Sequence, residues 1–251
     1  MASESPGTSV PPSFVTAVGH PVRWRLLGEL ARGDLAVHEL TALLGQPQNL
    51  VSYHLRKLRT VDLVTARRSS ADGRDTYYSL DLAHCGDLLA AAGAALHPGL
   101  ALGRPTPAGS AGGRVLFVCT GNSARSQMAE ALLRHRTAGA VEAYSAGSRP
   151  RPIHPHAVTA LAARGIDLAG ARPKHFDEVT GQSFHYVITL CDKVKEICPE
   201  FPDHPRPVHW SIPDPVNDPD GLAAFERVAD NLAARIEFLL HALADQQRKA
   251  S

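Results

Sequence analysis

FVCTGNSARS, residues 117–126, closes an apolar run on a single cysteine and sets an arginine six positions later, with only small residues and one asparagine between. RVLFVC (114–119) reads as a short buried strand and SQMAEALLRHR (126–136) carries a helical period, so the stretch between them is a strand-to-helix loop. Such a loop aims successive backbone N–H groups and a helix N-terminus at one point, where an oxyanion is held. Arg125 can bracket that anion with paired hydrogen bonds, and the same positive field favours the thiolate form of Cys119 as nucleophile. Ser126 can donate to the sulfur, and Asn122 can hold the loop through its side-chain amide. The expected oxyanion loop is therefore Thr120, Gly121, Asn122, Ser123, Ala124, Arg125 and Ser126. Phosphate and arsenate are both tetrahedral oxyanions, and the loop alone does not choose between them.

Outward from this loop, VEAYSAG (141–147) and HYVITLC (185–191) read as strands. HPHAVTALAARG (154–165) and FERVADNLAARIEFLLHAL (225–243) read as helices. Strands alternating with helices predict a three-layer α/β domain with a parallel sheet, over residues 114–246. TLCDKVKEICP carries Cys191 and Cys198, separated by six residues, which fits no common zinc spacing. A phosphate-ester hydrolase has no need of either thiol because water completes its reaction, whereas a reductase needs both. Asp192, Lys193, Lys195 and Glu196 make the intervening segment polar enough to open. SIPDPVND, with Asp214 before Pro215, is on its own terms a proline-fixed turn.

RVLFVCTGNSARSQMAEALL together with the late Asp214–Pro215 pair resembles the low-molecular-weight protein tyrosine phosphatase fold. That resemblance implies Asp214 as the general acid. The cysteine pair, His209–Trp210 and FERV (225–228) are similar to the thioredoxin-coupled arsenate reductases, and Val216 stands where tyrosine phosphatases usually carry an aromatic residue. Ala124 occupies a position where several relatives have a further cysteine. The resemblance implies an arsenate reductase in which Cys119 attacks arsenic, Cys191 attacks the sulfur of that adduct, and Cys198 resolves the disulfide. It implies no bound cofactor, and an external thiol reductant, either thioredoxin or a low-molecular-weight thiol. The alternatives left open are a phosphatase fused to a repressor, and a redox- or oxyanion-responsive regulator without turnover.

Residues 98–113, rich in Gly, Pro, Ala and Ser, read as a linker, and the region before them has a different pattern. VRWRLLGELA, AVHELTALLG and PQNLVSYHLRKL are successive amphipathic segments, and the last two form a helix-turn-helix. VDLVTARR and DTYYSL, parted by SSADGR, read as a hairpin, and a helix over roughly 82–96 follows. On the second helix Leu50, Leu55 and Leu58 are expected to face the core, leaving Gln48, Asn49, Ser52, Tyr53 and His54 for DNA bases or phosphates. Arg56, Lys57, Arg59, Arg67, Arg68 and Arg74 gather positive charge on that helix end and the hairpin, as a phosphate contact would require.

AVGHPVRWRLLGEL, QNLVSYHLRKLRTVDLV and GRDTYYSL resemble the ArsR/SmtB winged-helix repressors over residues 14–97. This implies a homodimer on a palindromic operator, released by an inducer. Arsenite sensors of that family carry two cysteines before the recognition helix, but Ala36 and His38 stand in the matching stretch. No metal site is expected, since His84 and His97 lack a paired-ligand spacing, and Cys85 reads as a small buried hydrophobe.

A formal charge of +1 means that nucleic-acid contact must come from a local basic patch rather than from the whole chain. Four unevenly spaced cysteines do not make a disulfide scaffold. No apolar run reaches membrane-spanning length, and residues 1–13, expected to be disordered, lack the pattern of a secretion signal, so a cytoplasmic location without membrane contact is expected.

Overall fold

The computed structural model describes residues 10–71, 73–100, 112–198 and 207–250. Of the terminus expected to be disordered over 1–13, residues 1–9 lie outside them, as do residues 101–111 of the linker expected over 98–113; of the rest, Ser13 opens a helix, 98–100 form a 3-10 turn and Gly113 begins a strand. The chain divides into two units, Met1–Ala66 with Tyr78–Arg104, and Arg67–Tyr77 with Pro105–Ser251. Among the described residues no helix is long and apolar enough to cross a membrane.

The first unit is mainly helical. Helices α1 (Ser13–Val18) and α2 (Pro21–Leu30) are followed by a two-residue strand β1 (Leu35–Ala36), α3 (Val37–Leu44) and α4 (Gln48–Arg59). Pro21 opens α2, where a missing N–H costs nothing, and His20 Nδ1 accepts from the Val22 N–H at 3.2 Å. Gly45 ends α3 in the left-handed region at φ +62°, a conformation that glycine adopts without steric cost. Strands β2 (Val64–Arg68) and β3 (Thr76–Leu80), whose stretch Arg67–Tyr77 is counted with the second unit, join β1 in a sheet of order β1-β3-β2, and α5 (Leu82–Leu96) closes the first unit. Leu26, Leu40, Leu55, Leu58 and Leu63 are fully buried in its core.

The second unit is built on β4 (Gly113–Cys119), α6 (Arg125–Arg136), β5 (Val141–Gly147), α7 (Pro155–Ala162), β6 (Tyr186–Thr189), α8 (Asp192–Ile197), β7 (Val208–His209) and α9 (Leu222–Ala250). All pairings are parallel in a sheet of order β5-β4-β6-β7. Strand β4 is central and its residues 115–118 are fully buried, so it reads as a continuous apolar run rather than an alternating one. The expected α/β class with a parallel sheet is found. Three elements differ from the sequence reading: the third strand ends at Thr189, so Cys191 caps a six-residue helix, β7 adds a fourth strand, and α9 runs on to Ala250.

The order of strands locates the site. From β4 the chain goes first to β5 on one side and then crosses to β6 on the other, so the strand order reverses beside β4. In open α/β sheets a ligand crevice forms beyond the carboxyl ends of the strands at such a point. Cys119 ends β4, and Cys191 lies two residues past the end of β6.

Candidate active site

Residues 120–124 turn tightly between β4 and α6, and their carbonyls are fastened outward. The N–H groups of Arg149, Arg151 and His154 donate to the carbonyls of Thr120, Gly121 and Ser123, each at 2.9 Å. Because a trans peptide points its N–H opposite to its C=O, the N–H groups of Gly121, Asn122 and Ala124 face the other way, into the loop. The Asn122 N–H donates to Cys119 Sγ at 3.2 Å, and Asn122 holds a left-handed backbone at φ +42°. Ser126, one residue into α6, has its Oγ 2.9 Å from the same sulfur. Cys119 is a free, buried cysteine.

The Asn122 side-chain amide, expected to hold the loop, does so through partners that sequence reading did not find. Asn122 Nδ2 donates to Ser126 Oγ at 2.9 Å and to Ser145 Oγ at 2.8 Å, and its Oδ1 accepts from Gln127 Nε2 at 2.9 Å and from the Lys174 N–H at 2.7 Å. Gly147 lies opposite Cys119 in the β4–β5 register, and a Cβ there would stand 2.7 Å from Thr120 O, 2.8 Å from Cys119 O and 2.9 Å from Asn122 N. The close approach of the loop backbone to β5 is the reason this position needs glycine. The segment SAG, Ser145–Ala146–Gly147, carried a usable signal, three small residues closing a strand beside the loop.

Arg125 is buried, with NH1 donating to the Ile212 carbonyl at 3.0 Å and NH2 paired with Asp214 at 3.0 Å. Its Nε–H is buried without a hydrogen-bond partner, a donor left for an oxyanion. Asp214 thus reaches the loop through Arg125, and its half-exposed carboxylate also accepts from the Val216 N–H at 3.3 Å, so the proline-fixed turn serves to hold an acid.

Cys191 Sγ lies 3.3 Å from Thr120 Oγ1, at the edge of the anion loop. Burial pushes its thiol up, the Arg125 guanidinium pulls it back, and the nearby Cys119 pushes it up again. Cys198 caps the other end of α8, where burial pushes its thiol up to about 11. Asp192, next to Cys191, is fully buried. Burial opposes its charge, but hydrogen bonds from His209, the Ser70 N–H, Arg67 and Ser211 outweigh that and hold the carboxyl well below the usual carboxylate range. Among the described residues no group of three or more His, Cys, Asp or Glu side chains gathers as a metal site.

The family described as "Low molecular weight phosphotyrosine protein phosphatase" matches residues 114–249, which hold the whole of this loop, Asp214 and both further cysteines. The chain belongs to this phosphatase family. Its curated relatives include an arsenate reductase of Halalkalibacterium halodurans, 35% identical over 49% of this chain and 91% of the relative. Another is an arsenate reductase of Brevibacillus brevis, 36% identical over 49% and 90%. A solved arginine phosphatase, YwlE of Geobacillus stearothermophilus, is 27% identical over 55% of this chain and 97% of its own, with a TM-score of 0.46. Ahead of the phosphatase-family domain, residues 20–66 match "Bacterial regulatory protein, arsR family".

Within that arsR-family segment, Gln48, Asn49, Tyr53, Arg56 and Lys57 on α4 are exposed and Ser52 is half-buried. His54, expected among the DNA-facing residues, is instead buried against His20, with ring centroids 4.4 Å apart. The buried stripe of α4 is Val51, His54, Leu55 and Leu58, so Val51 takes the core place expected of Leu50. Arg68 is exposed and donates to the Gly73 carbonyl at 2.9 Å, and Arg74 is exposed. Arg67 belongs to the second unit, where its guanidinium donates to both carboxylate oxygens of Asp192 at 2.8 Å rather than standing open to a phosphate.

Proposed function

We propose that the chain joins an operator-binding regulator to an arsenate reductase that works through Cys119, Cys191 and Cys198. The observation that carries this reading is the position of Cys191, at hydrogen-bond distance from Thr120 of the anion loop, with Cys198 at the far end of the same short helix. A hydrolase of phosphate esters has no use for that pair.

The loop N–H groups and Arg125 bind arsenate. The Cys119 thiolate attacks arsenic, an S–As bond forms, and the As–O bond to an arsenate hydroxyl breaks, that hydroxyl leaving as water on a proton from Asp214. The Cys191 sulfur then attacks the Cys119 sulfur. An S–S bond forms, the S–As electron pair passes to arsenic, As(V) becomes As(III), and the Cys191 proton leaves with arsenite. Cys198 attacks Cys191 next, freeing Cys119, and an external thiol reductant, either the thioredoxin dithiol or two equivalents of a low-molecular-weight thiol, reduces the 191–198 disulfide.

Helix geometry bears on the last exchange. Seven residue-to-residue steps at about 1.5 Å each separate the two Cα atoms by about 10 Å along the helix. A disulfide needs about 4.4–6.8 Å. Helix α8 must therefore open before Cys198 reaches Cys191, and six residues are too few to be a stable helix by themselves.

For the regulator, Tyr53, Arg56 and Lys57 present a polar, basic face on α4 for operator DNA. A homodimer through the first unit is supported by α5, which buries only Ala92 and leaves Leu89 and Leu96 exposed at 64% and 82%, and by Val15 of α1, exposed at 41%. Operator binding and thiol chemistry fit a cytoplasmic protein. The test is arsenate-dependent oxidation of NADPH by the full chain with thioredoxin and its reductase. Sustained turnover is expected, and hydrolysis of an aryl phosphate with no arsenate turnover would replace this reading with that of a phosphatase.

A further inference from the structure

Segment 171–175 has no helix and forms only an isolated bridge at His175, yet one of the two donors to Asn122 Oδ1 belongs to it and the other is tied to it. The Lys174 N–H donates to Asn122 Oδ1 directly, at 2.7 Å. The second donor, Gln127 Nε2, is itself tied to the Arg172 carbonyl at 2.8 Å. The Lys174 carbonyl also accepts from the N–H of Gly147, the glycine against which the anion loop is seated. Lys174 Nζ reaches down to Glu130 Oε2 at 3.2 Å, in an ion pair whose side chains are 17% and 11% exposed. Glu130 accepts in addition from Ser145 Oγ at 2.6 Å and from Arg134 at 2.7 Å.

The orientation of the Asn122 amide decides where one proton goes. A serine hydroxyl has a single proton to give, and an amide nitrogen is donor only. While Nδ2 faces Ser126 Oγ, that hydroxyl accepts from Asn122 and must spend its proton elsewhere, on Cys119 Sγ at 2.9 Å. If the amide turned over, Oδ1 would face Ser126 and take the proton that now supports the sulfur.

We propose that the Lys174–Glu130 ion pair is a positioning device for the nucleophile: it fastens segment 172–175 so that the Asn122 amide keeps the orientation that directs the Ser126 hydroxyl at Cys119. Neither side chain touches the sulfur, and both act through Asn122. The proposal rests on Cys119 being the nucleophile of the reading above.

The test follows the pH profile of Cys119 alkylation by iodoacetamide in the full chain, with the site read by peptide mass. Lys174→Met and Glu130→Gln are each expected to move the profile to higher pH and to slow alkylation at neutral pH by about tenfold, the equivalent of one hydrogen bond to a charged group. Lys174→Arg should restore it. Arsenate turnover should fall in parallel at saturating arsenate, with the KM for the reductant unchanged. Glu130→Gln is nearly isosteric and still accepts from Ser145, so it decides alone if Lys174→Met does not fold. Parent-like profiles in the folded variants overturn the proposal. Because alkylation needs no arsenate, a parent chain that alkylates at Cys119 but never turns over arsenate defeats the reductase reading and leaves this one standing.

Discussion

Gly147→Ala tests the geometry of the anion loop with a single methyl group. The added Cβ would lie 2.7 Å from Thr120 O, against 3.4 Å where ordinary contact begins, a deficit of 0.7 Å. All three obstructing atoms, Thr120 O, Cys119 O and Asn122 N, are backbone, so no side chain can swing aside. The β4–β5 ladder pins Gly147 opposite Cys119, and the Gly147 N–H is held by the Lys174 carbonyl at 2.9 Å. The φ of Gly147 is not in the left-handed region, so the backbone itself accepts alanine and the cost is contact alone. Overpacking of this kind costs about 1–3 kcal/mol of stability. A displacement approaching 1 Å at a reacting group costs on the order of 100-fold in rate. We therefore expect Gly147→Ala to fold with a lowered Tm and to lose about 30- to 100-fold in arsenate turnover, a range set by that same sensitivity. Thermal unfolding, the coupled thioredoxin assay and Cys119 alkylation measure the three effects on one preparation. A folded Gly147→Ala chain that turns over arsenate at the parent rate would refute the argument that β5 shapes the loop.

Cys191→Ser and Cys198→Ser should each stop multiple turnover of arsenate while leaving aryl-phosphate hydrolysis nearly intact, since only reduction needs the relay; parent-rate cycling with thioredoxin in either variant would remove that cysteine from it. In the reduced chain, burial raises the Cys198 thiol to about 11, so iodoacetamide should label it slowly at pH 8 and quickly once the 119–191 disulfide forms and α8 opens. A folded pKa above the unfolded one means that this burial stabilises the chain fully below the ordinary thiol value and that the contribution is lost as pH rises through about 11, which urea titrations at pH 8 and pH 11 on a variant with Cys198 as its sole cysteine would check. Replacing Arg56 and Lys57 should weaken operator binding and flatten its salt dependence, each lost phosphate contact reducing the log–log slope by about 0.9, and an unchanged slope in a filter-binding titration would place both side chains off the DNA.

The local order of residues was enough for the strand, loop and helix around Cys119, because an apolar run, a small-residue turn and a helical period each stem from near neighbours. The same holds for α5, whose limits at Leu82 and Leu96 follow from Asp81 as a cap, with its side chain accepting from the His84 N–H, and from the Pro98 that follows. The burial of His54 was in principle legible too. Val51, His54, Leu55 and Leu58 repeat at helical spacing, and reading Leu50 in place of Val51 hid the stripe to which the histidine belongs.

Other features depend on partners far away along the chain. Strand β7 is two residues long and exists because β6 lies beside it; no period can be seen in Val208–His209 alone. Helix α8 begins at the residue after Cys191, three residues past the end of β6 at Thr189. Gly147, Ser145 and Lys174 are 28, 26 and 55 positions from Cys119, by subtraction of their residue numbers, and each is an unremarkable residue in its own segment. Parallel pairing sets Gly147 against Cys119, and the return of the chain at 172–175 sets Lys174 against Asn122 and Glu130. By itself the sequence determined which residue types are available to the proposed oxyanion loop and thiol relay, because side-chain chemistry and local backbone preference are written residue by residue. Only the tertiary structure decided how Asn122 is oriented, where the Ser126 proton points and why residue 147 must be glycine, since a hydrogen bond or a steric contact needs two groups within a few ångströms, and the fold alone brings those groups together.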